Sequence, residues 1–187
     1  MSWTRPEKRA DSARNSNDLV SLFPTDIGWM GIVGHVNVVR SVSVGYPTAA
    51  AARKALKISL GSEQATPLQE ADWNPTLREE LQDYAKGKPV CFSEFELQLP
   101  ARTPFRDKVL SATRRLVYGQ TTTYGELARL VGHPRAARAV GTVMSTNRFP
   151  ILIPCHRVLA AGGKLGGYTS PAGTDLKQRL LEMEQSA

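Results

Sequence analysis

Apolar and polar residues alternate over three short segments near the start of the chain, a pattern typical of β-strands. The three segments are residues 19–23, 29–33 and 36–44. Residues 25–28 and 34–35, which separate these segments, have the composition of hairpin turns. Residues 92–99 alternate again, and this fourth segment predicts an edge strand.

Two further segments of this first part are predicted to be helices. Residues 47–56 are rich in alanine and begin with a proline, which suits the first turn of a helix. Residues 75–86 follow Asn74, a capping residue, and end before Gly87. The strands and helices together predict a small α+β domain over residues 19–100.

The segments that border this domain are polar. Residues 1–18 are charged and contain no apolar run, so we expect a disordered or loosely docked arm. The same residues lack the apolar core of a secretory signal. Residues 100–104 begin and end with proline, and they predict the linker to a second domain over residues 101–187.

The second domain is predicted to be mostly helical, beginning with a helix over residues 104–117. Thr123 and Glu126 then form the pattern of a capping box, which opens a short second helix. Residues 132–134 turn the chain into a third helix, residues 135–147. Two short helices around a tight turn predict a helix-turn-helix.

One face of the third predicted helix carries polar and basic side chains, because residues at i, i+3, i+7 and i+10 share a face. These residues are Arg135, Arg138, Thr142 and Ser145. Ala137 and other small neighbours let the backbone approach a partner closely, as in a nucleic-acid groove. An ordinary helical hairpin with two exposed arginines is the alternative interpretation.

Charge strengthens the first interpretation. The net charge is +7, and residues 101–187 hold 13 lysines and arginines against 5 aspartates and glutamates. Residues 1–100 hold 11 against 12, so all the excess positive charge lies in the second domain. This asymmetry suggests a polyanionic partner, whereas a solvated basic surface would explain the same count without one.

The candidate chemistry lies in an apolar run, residues 151–153, that leads to Pro154, Cys155 and His156. The run predicts a buried strand that ends or bends at the proline. Neighbouring His156 and Arg157 favour the reactive thiolate form of the cysteine. In a straight strand Cys155 and His156 would point to opposite faces, so a bend or a bridging water must connect them. A buried, inert cysteine is the alternative.

The other cysteine and the general composition exclude several classes of protein. Cys91 lies between Val90 and Phe92 and is predicted to be a packed apolar residue. Two distant cysteines imply no disulfide framework, and no cluster of His and Cys predicts a metal site. No apolar stretch reaches the length of a membrane span.

Several ordered motifs resemble those of the O6-alkylguanine-DNA alkyltransferases, the methylated-DNA–protein-cysteine methyltransferases. The resemblance covers residues 103–184 and centres on the sequence Pro-Cys-His-Arg-Val at 154–158. The other matching motifs are residues 124–128, 136–141, Asn147, 150–154, 167–168 and 180–184. The first domain matches only in outline, through its turn at residues 25–28. The resemblance implies a ribonuclease-H-like N-terminal domain that is mainly structural, followed by a helical domain with a helix-turn-helix and the active-site cysteine.

The resemblance also implies a catalytic role for five residues. Cys155 would accept the alkyl group from guanine oxygen-6 and keep it, so that each molecule reacts once. His156 would act as a general base through a water, oriented by Glu184. Asn147 would hold the thiol segment, and Tyr124 would donate a hydrogen bond toward guanine N3.

The partner implied by the resemblance is double-stranded DNA that contains O6-alkylguanine, bound through its minor groove. The target base must leave the stack to react, and Arg138 would fill the gap. The remaining contacts to substrate and DNA would come from Arg135, Ala137, Ser145, the Val158 carbonyl, Gly167, Tyr168 and Thr169. We expect a monomer that needs no cofactor or metal and does not bind a membrane; cooperative binding to DNA is left open. In a prokaryote the protein would lie in the cytoplasm, associated with the nucleoid, and in a eukaryote it would lie in the nucleus.

Two departures from the family pattern affect the expected site. The chain is about two residues longer between Tyr168 and Lys177, which changes the rim of the pocket and makes Glu184, rather than Glu182, the aligned glutamate. Thr169 stands where serine is frequent. Two other functions remain open: a Cys–His–Glu hydrolase or acyltransferase, and a DNA-binding module without catalysis.

Overall fold

Three antiparallel strands form the centre of a five-stranded sheet in the N-terminal half of the protein, residues 18–100. The computed structural model describes residues 18–61, 67–100 and 103–186. The strands are β1 (Leu19–Phe23), β2 (Trp29–His35), β3 (Val38–Tyr46), β4 (Gln69–Glu70) and β5 (Glu96–Leu97), in the spatial order β4-β1-β2-β3-β5. Most of the predicted arm and part of the predicted linker lie outside the described residues.

Two helices complete the N-terminal half. Helix α1 (Ala49–Leu60) packs on β2 and β3, and helix α2 (Pro75–Ala85) buries Leu77, Leu81 and Tyr84. Asn74 caps α2 as predicted, because its side chain accepts a hydrogen bond from the Leu77 amide. The chain turns away after α2 at Gly87, whose φ of 88° suits a glycine.

The edge strand predicted over residues 92–99 is much shorter in the structure, where only Glu96–Leu97 pairs with β3. The reason lies in Arg114 from the other half of the chain. Its guanidinium donates hydrogen bonds to the carbonyl oxygens of Phe92, Ser93 and Phe95. This side chain therefore replaces a strand partner for the segment. Cys91 is exposed rather than packed, so that prediction was wrong.

The C-terminal half, residues 103–186, is mainly helical. Its helices are α3 (Pro104–Arg114), α4 (Tyr124–Leu130), α5 (Ala137–Ser145) and α6 (Gly173–Gln185), and a two-stranded parallel sheet joins β6 (Thr122–Thr123) to β7 (Val158–Leu159). The predicted capping box is confirmed, since Thr123 and Glu126 satisfy each other's backbone amides at the start of α4. Helix α5 begins two residues later than predicted, which leaves Arg135 in the preceding turn.

The apolar run at residues 151–153 is not the predicted strand. Ile151 has a φ of 72°, and the Ile153 amide donates to the Phe149 carbonyl at 2.8 Å, so the chain forms a tight turn. A 3-10 helix, Cys155–Arg157, follows directly. The apolar side chains are buried as a strand's would be, but the backbone hydrogen bonds are local.

Side chains of the C-terminal half contact the N-terminal half at several points. The Tyr118 hydroxyl donates to the Gly87 carbonyl at 2.8 Å, and Arg179 donates to the Asp26 carbonyl at 2.7 Å. Leu176 of α6 lies against Gly45 of β3, where an added Cβ would come within 2.4 Å. Over the described residues, no helix combines the length and apolar character that crossing a membrane requires.

Candidate active site

Cys155 begins the 3-10 helix and is 7% exposed. Burial raises the pKa of its thiol, whereas a hydrogen bond from the Asn147 side chain and the charge of Lys177 act to lower it. The thiol therefore rests in its neutral form, next to groups that stabilise a thiolate once one forms.

Asn147 fixes the turn that presents the cysteine. Its side-chain nitrogen donates to the Ile153 carbonyl at 2.8 Å, and its side-chain oxygen accepts from the Phe149 amide at 3.0 Å. One residue thus holds both ends of the apolar turn. This arrangement explains why an apolar run that resembles a strand folds back on itself.

His156 is fully buried, and its Nε2 lies 2.8 Å from Oε1 of Glu184. Among the residues that the structure describes, none gives His156 Nδ1 a hydrogen-bond partner. Burial lowers the pKa of His156, and the hydrogen bond that its ring donates to Glu184 acts against that effect. A neutral imidazole with its proton on Nε2, toward the carboxylate, leaves Nδ1 as an acceptor.

Glu184 is the centre of a dense set of donors. Its two oxygens accept from His156 Nε2 at 2.8 Å, the Tyr84 hydroxyl at 2.5 Å, Arg157 Nε at 2.9 Å, Arg157 Nη2 at 2.8 Å and the Gly119 amide at 3.1 Å. Burial alone would raise the pKa of this carboxyl, but the hydrogen bonds from His156 and Arg157 hold it well below its usual range. Glu182 is exposed and bonds to Gln178 instead.

A cavity of about 920 Å³ opens beside Cys155. Of the residues expected to contact substrate or DNA, the cavity is lined by Tyr124, Ala137, Arg138, Ser145, Gly167, Tyr168 and Thr169. Thr169 donates a hydrogen bond to the Ser145 carbonyl at 3.1 Å, which ties the longer loop to helix α5. Arg135 and Val158 do not line this cavity: Arg135 is exposed in the turn before α5, and Val158 is buried behind it.

Comparison with known proteins gives the same family in sequence and in structure. The model of the 6-O-methylguanine DNA methyltransferase DNA-binding domain matches residues 104–186. The crystal structure of Mycobacterium tuberculosis O6-methylguanine methyltransferase is 30% identical, with a TM-score of 0.72, over 90% of this chain and 93% of that one. The chain belongs to the O6-methylguanine-DNA methyltransferase family.

Further matches in this methyltransferase family have a comparable sequence identity or TM-score to this chain. The methylated-DNA–protein-cysteine methyltransferase of Methanosarcina acetivorans is 43% identical over 108 residues, which are 57% of this chain and 66% of that protein. The matched segment thus spans slightly less than two thirds of that relative. The crystal structure of M. tuberculosis OGT in complex with DNA is 31% identical, with a TM-score of 0.72, and covers 90% of this chain and 93% of that one.

Sequence reasoning missed two residues of this candidate site. Lys177 is fully buried, donates to the Val158 carbonyl at 2.7 Å, and lies 5.8 Å from the centre of the Tyr124 ring. Burial lowers its pKa to about 8. Its spacing of seven residues from Glu184 was a usable signal, because such residues share a helix face.

Tyr84 is the second missed residue. It is fully buried at the end of α2, and its hydroxyl reaches Glu184 from the N-terminal half of the chain. Its position after Leu77 and Leu81 indicated only a core residue, since the three share one apolar stripe. No sequence signal connects it to a carboxylate that lies 100 residues away.

Proposed function

We propose that this protein removes an alkyl group from oxygen-6 of guanine in DNA and transfers it irreversibly to its own Cys155. The observation that carries this proposal is that the Cys155 thiol and the arginine-bearing helix α5 line one cavity, while the buried His156–Glu184 pair directly follows the cysteine. A hydrolase would need the first two features but not the third.

The transfer is a single displacement at carbon. His156 takes the thiol proton at Nδ1 through a water, and the sulfur of Cys155 then attacks the alkyl carbon. A sulfur–carbon bond forms as the bond from that carbon to oxygen-6 breaks, and the electron pair leaves with guanine. The product thioether has no leaving group that would regenerate the thiol, so each molecule reacts once.

Tyr124 stabilises the leaving base. It is the first residue of α4, and burial raises the pKa of its phenol, which keeps the hydroxyl protonated. A phenol that remains protonated can donate to guanine N3 while negative charge develops on the ring. Lys177, close to the face of this phenol and to Cys155, adds positive charge on the same side.

Helices α4 and α5 form the DNA-binding surface in this proposal, as a helix-turn-helix in the minor groove. Arg138 is exposed on α5 at the mouth of the cavity, where it can enter the stack as the alkylated nucleotide leaves it. We assign residues 101–187 to this alkyltransferase domain. Residues 19–100 form a ribonuclease-H-like domain with a structural role, which contacts the alkyltransferase domain through Tyr84 and Gly87.

Intact mass spectrometry tests the proposal directly. We expect a duplex with one O6-methylguanine to add one methyl group to the protein and then to leave it inactive. Peptide mapping should place the methyl group on Cys155, and Cys155→Ser should accept none. Cys91→Ser, which removes the exposed thiol, is the matched control and should react like the wild type. Repeated turnover, or a methyl group on Cys91, would contradict the proposal.

A further inference from the structure

The Tyr84 hydroxyl contacts both members of the histidine–glutamate pair. It lies 2.5 Å from Glu184 Oε1 and 3.2 Å from His156 Nε2. Burial and the nearby Glu184 charge raise the pKa of this phenol well above its usual value, so the hydroxyl keeps its proton and donates a hydrogen bond to the carboxylate.

We propose that Tyr84 is a positioning residue of the transfer site, which limits the pull of Glu184 on the His156 proton and so keeps His156 neutral. The proposal rests on the proposed function, because a neutral histidine matters only if it must accept the proton of Cys155. It also gives the N-terminal half of the chain a part in setting the protonation state of the site.

Three hydrogen-bond donors compete for one oxygen of Glu184. Glu184 Oε1 accepts from Tyr84, His156 and Arg157 Nη2, which is three donors for about two lone pairs. A donor that is removed leaves more of the carboxylate charge for those that stay. Without the Tyr84 hydroxyl, Glu184 would therefore bind His156 more strongly and stabilise its protonated form.

The two contacts of the Tyr84 hydroxyl act on His156 in opposite directions. As an acceptor near His156 Nε2, Tyr84 also favours a protonated histidine, which opposes the first effect. That contact spans 3.2 Å, whereas the bond to Glu184 spans 2.5 Å and is charge-assisted. Because the shorter bond is much the stronger, its effect decides the sign.

The charged groups around His156 raise or lower its pKa according to their sign. Those that face it are Glu184 and Lys177 from α6, Arg157 and Cys155 from its own segment, and Tyr84 from α2. Burial lowers the pKa of His156, Glu184 raises it, and Arg157 and Lys177 lower it again. Among the charged groups that act on the pKa of His156, Glu184 is the one that raises it, and Tyr84 acts on Glu184.

Tyr118 provides a matched control. Its ring meets that of Tyr84 edge-on at 6.0 Å, and its hydroxyl donates across the same junction between the halves, to the Gly87 carbonyl. Tyr118→Phe therefore removes one phenol hydroxyl from the junction between the two halves, but it removes no donor to Glu184. Tyr84→Phe keeps the buried ring, and Glu184 keeps its other four hydrogen bonds.

The test is an NMR titration of the histidine side chains in wild type, Tyr84→Phe and Tyr118→Phe, without DNA. A hydrogen bond to a charged group corresponds to about one pKa unit or somewhat more. We expect the pKa of His156 to rise by about one unit in Tyr84→Phe and to stay unchanged in Tyr118→Phe. The acid side of the pH–rate profile for methyl transfer should move upward by the same amount, with the rate restored at high pH.

Incorporation of 3-fluorotyrosine at position 84 supplies the opposite change, since a more acidic phenol donates more strongly while the shape is kept. It should lower the pKa of His156. An unchanged His156 in Tyr84→Phe, or equal shifts in both phenylalanine variants, would overturn the role of Tyr84. A wild-type protein that accepts no methyl group would instead overturn the proposed function, and the DNA-free titration keeps these two failures apart.

Discussion

Asn147 reaches across six residues to donate its side-chain hydrogen bond to the carbonyl of Ile153, at 2.8 Å. The same side chain accepts from the Phe149 amide and bonds to the Cys155 thiol. A single amide group therefore sets both the turn before the cysteine and the environment of its sulfur. It follows that changes at this residue alter folding and reactivity together.

Replacing Asn147 by alanine should weaken the fold and the nucleophile at once. The Ile153 carbonyl and the Phe149 amide lose their partner, so we expect the free energy of unfolding to fall by roughly 1–3 kcal/mol. The pKa of the Cys155 thiol should rise, because one hydrogen bond that favours its thiolate is lost. Urea unfolding and the pH dependence of thiol alkylation, in a Cys91→Ser background, measure the two effects. Gln178→Ala, at an exposed site, should change neither.

The two glutamates at the end of α6 should differ sharply in their effect on methyl transfer. Glu184→Gln places an amide where five donors converge, so the orientation of His156 is lost. Loss of one charge-assisted hydrogen bond corresponds to about 10–100-fold in rate. Glu182→Gln removes an exposed carboxylate and should leave the rate within about twofold of wild type. Single-turnover kinetics decide the matter, and equal losses would contradict the geometry of the pair.

Lys177 should make the stability of the protein rise with pH. Its pKa is about 8 in the folded protein against 10.5 for an ordinary lysine, so between these values the unfolded chain binds more protons. Stability must then increase as pH rises through this window. Urea unfolding at pH 7.5 and at pH 9.5 should show this gain for wild type and a smaller one for Lys177→Met. Lys164→Met, at an exposed position, should keep the full gain.

The arginines at the start of α5 and in the turn before it should separate DNA affinity from base extrusion. Arg135 lies in the exposed turn before α5, and Arg135→Ala should weaken binding to damaged and undamaged duplexes alike. Each lost phosphate contact should also reduce the salt dependence by about one unit. Arg138→Ala should instead slow transfer from duplex DNA, because extrusion costs a few kcal/mol and the gap stays empty. Equal slowing with the free base O6-benzylguanine would place Arg138 in the pocket rather than in the stack.

Local patterns in the sequence predicted much of the fold. The three strands β1 to β3 and the caps at Asn74 and Thr123 depend on neighbours within a few residues, so period and composition were enough. The segment before Cys155 was predicted wrongly because an apolar run looks the same in a strand and in a buried turn. The side chain that decides between them, Asn147, stands outside the run.

The site was predictable only where its partners share one helix or one motif. Cys155 and His156 are adjacent, and the resemblance supplied Glu184. The bond between Tyr84 and Glu184 spans 100 positions and depends on how α2 packs against the C-terminal half. Contacts of that kind follow from tertiary packing, which neither periodicity nor spacing encodes.

The hydrogen bonds that converge on Glu184 also limit how the protein can be divided or recombined. A fragment cut at residues 101–102 would carry the thiol and its histidine but would lose the phenol of α2, and Leu176 would lose its cover at Gly45. A chimera with a foreign N-terminal half would have to provide a tyrosine at the same point in space. The two halves therefore have to be inherited, exchanged or redesigned as one piece.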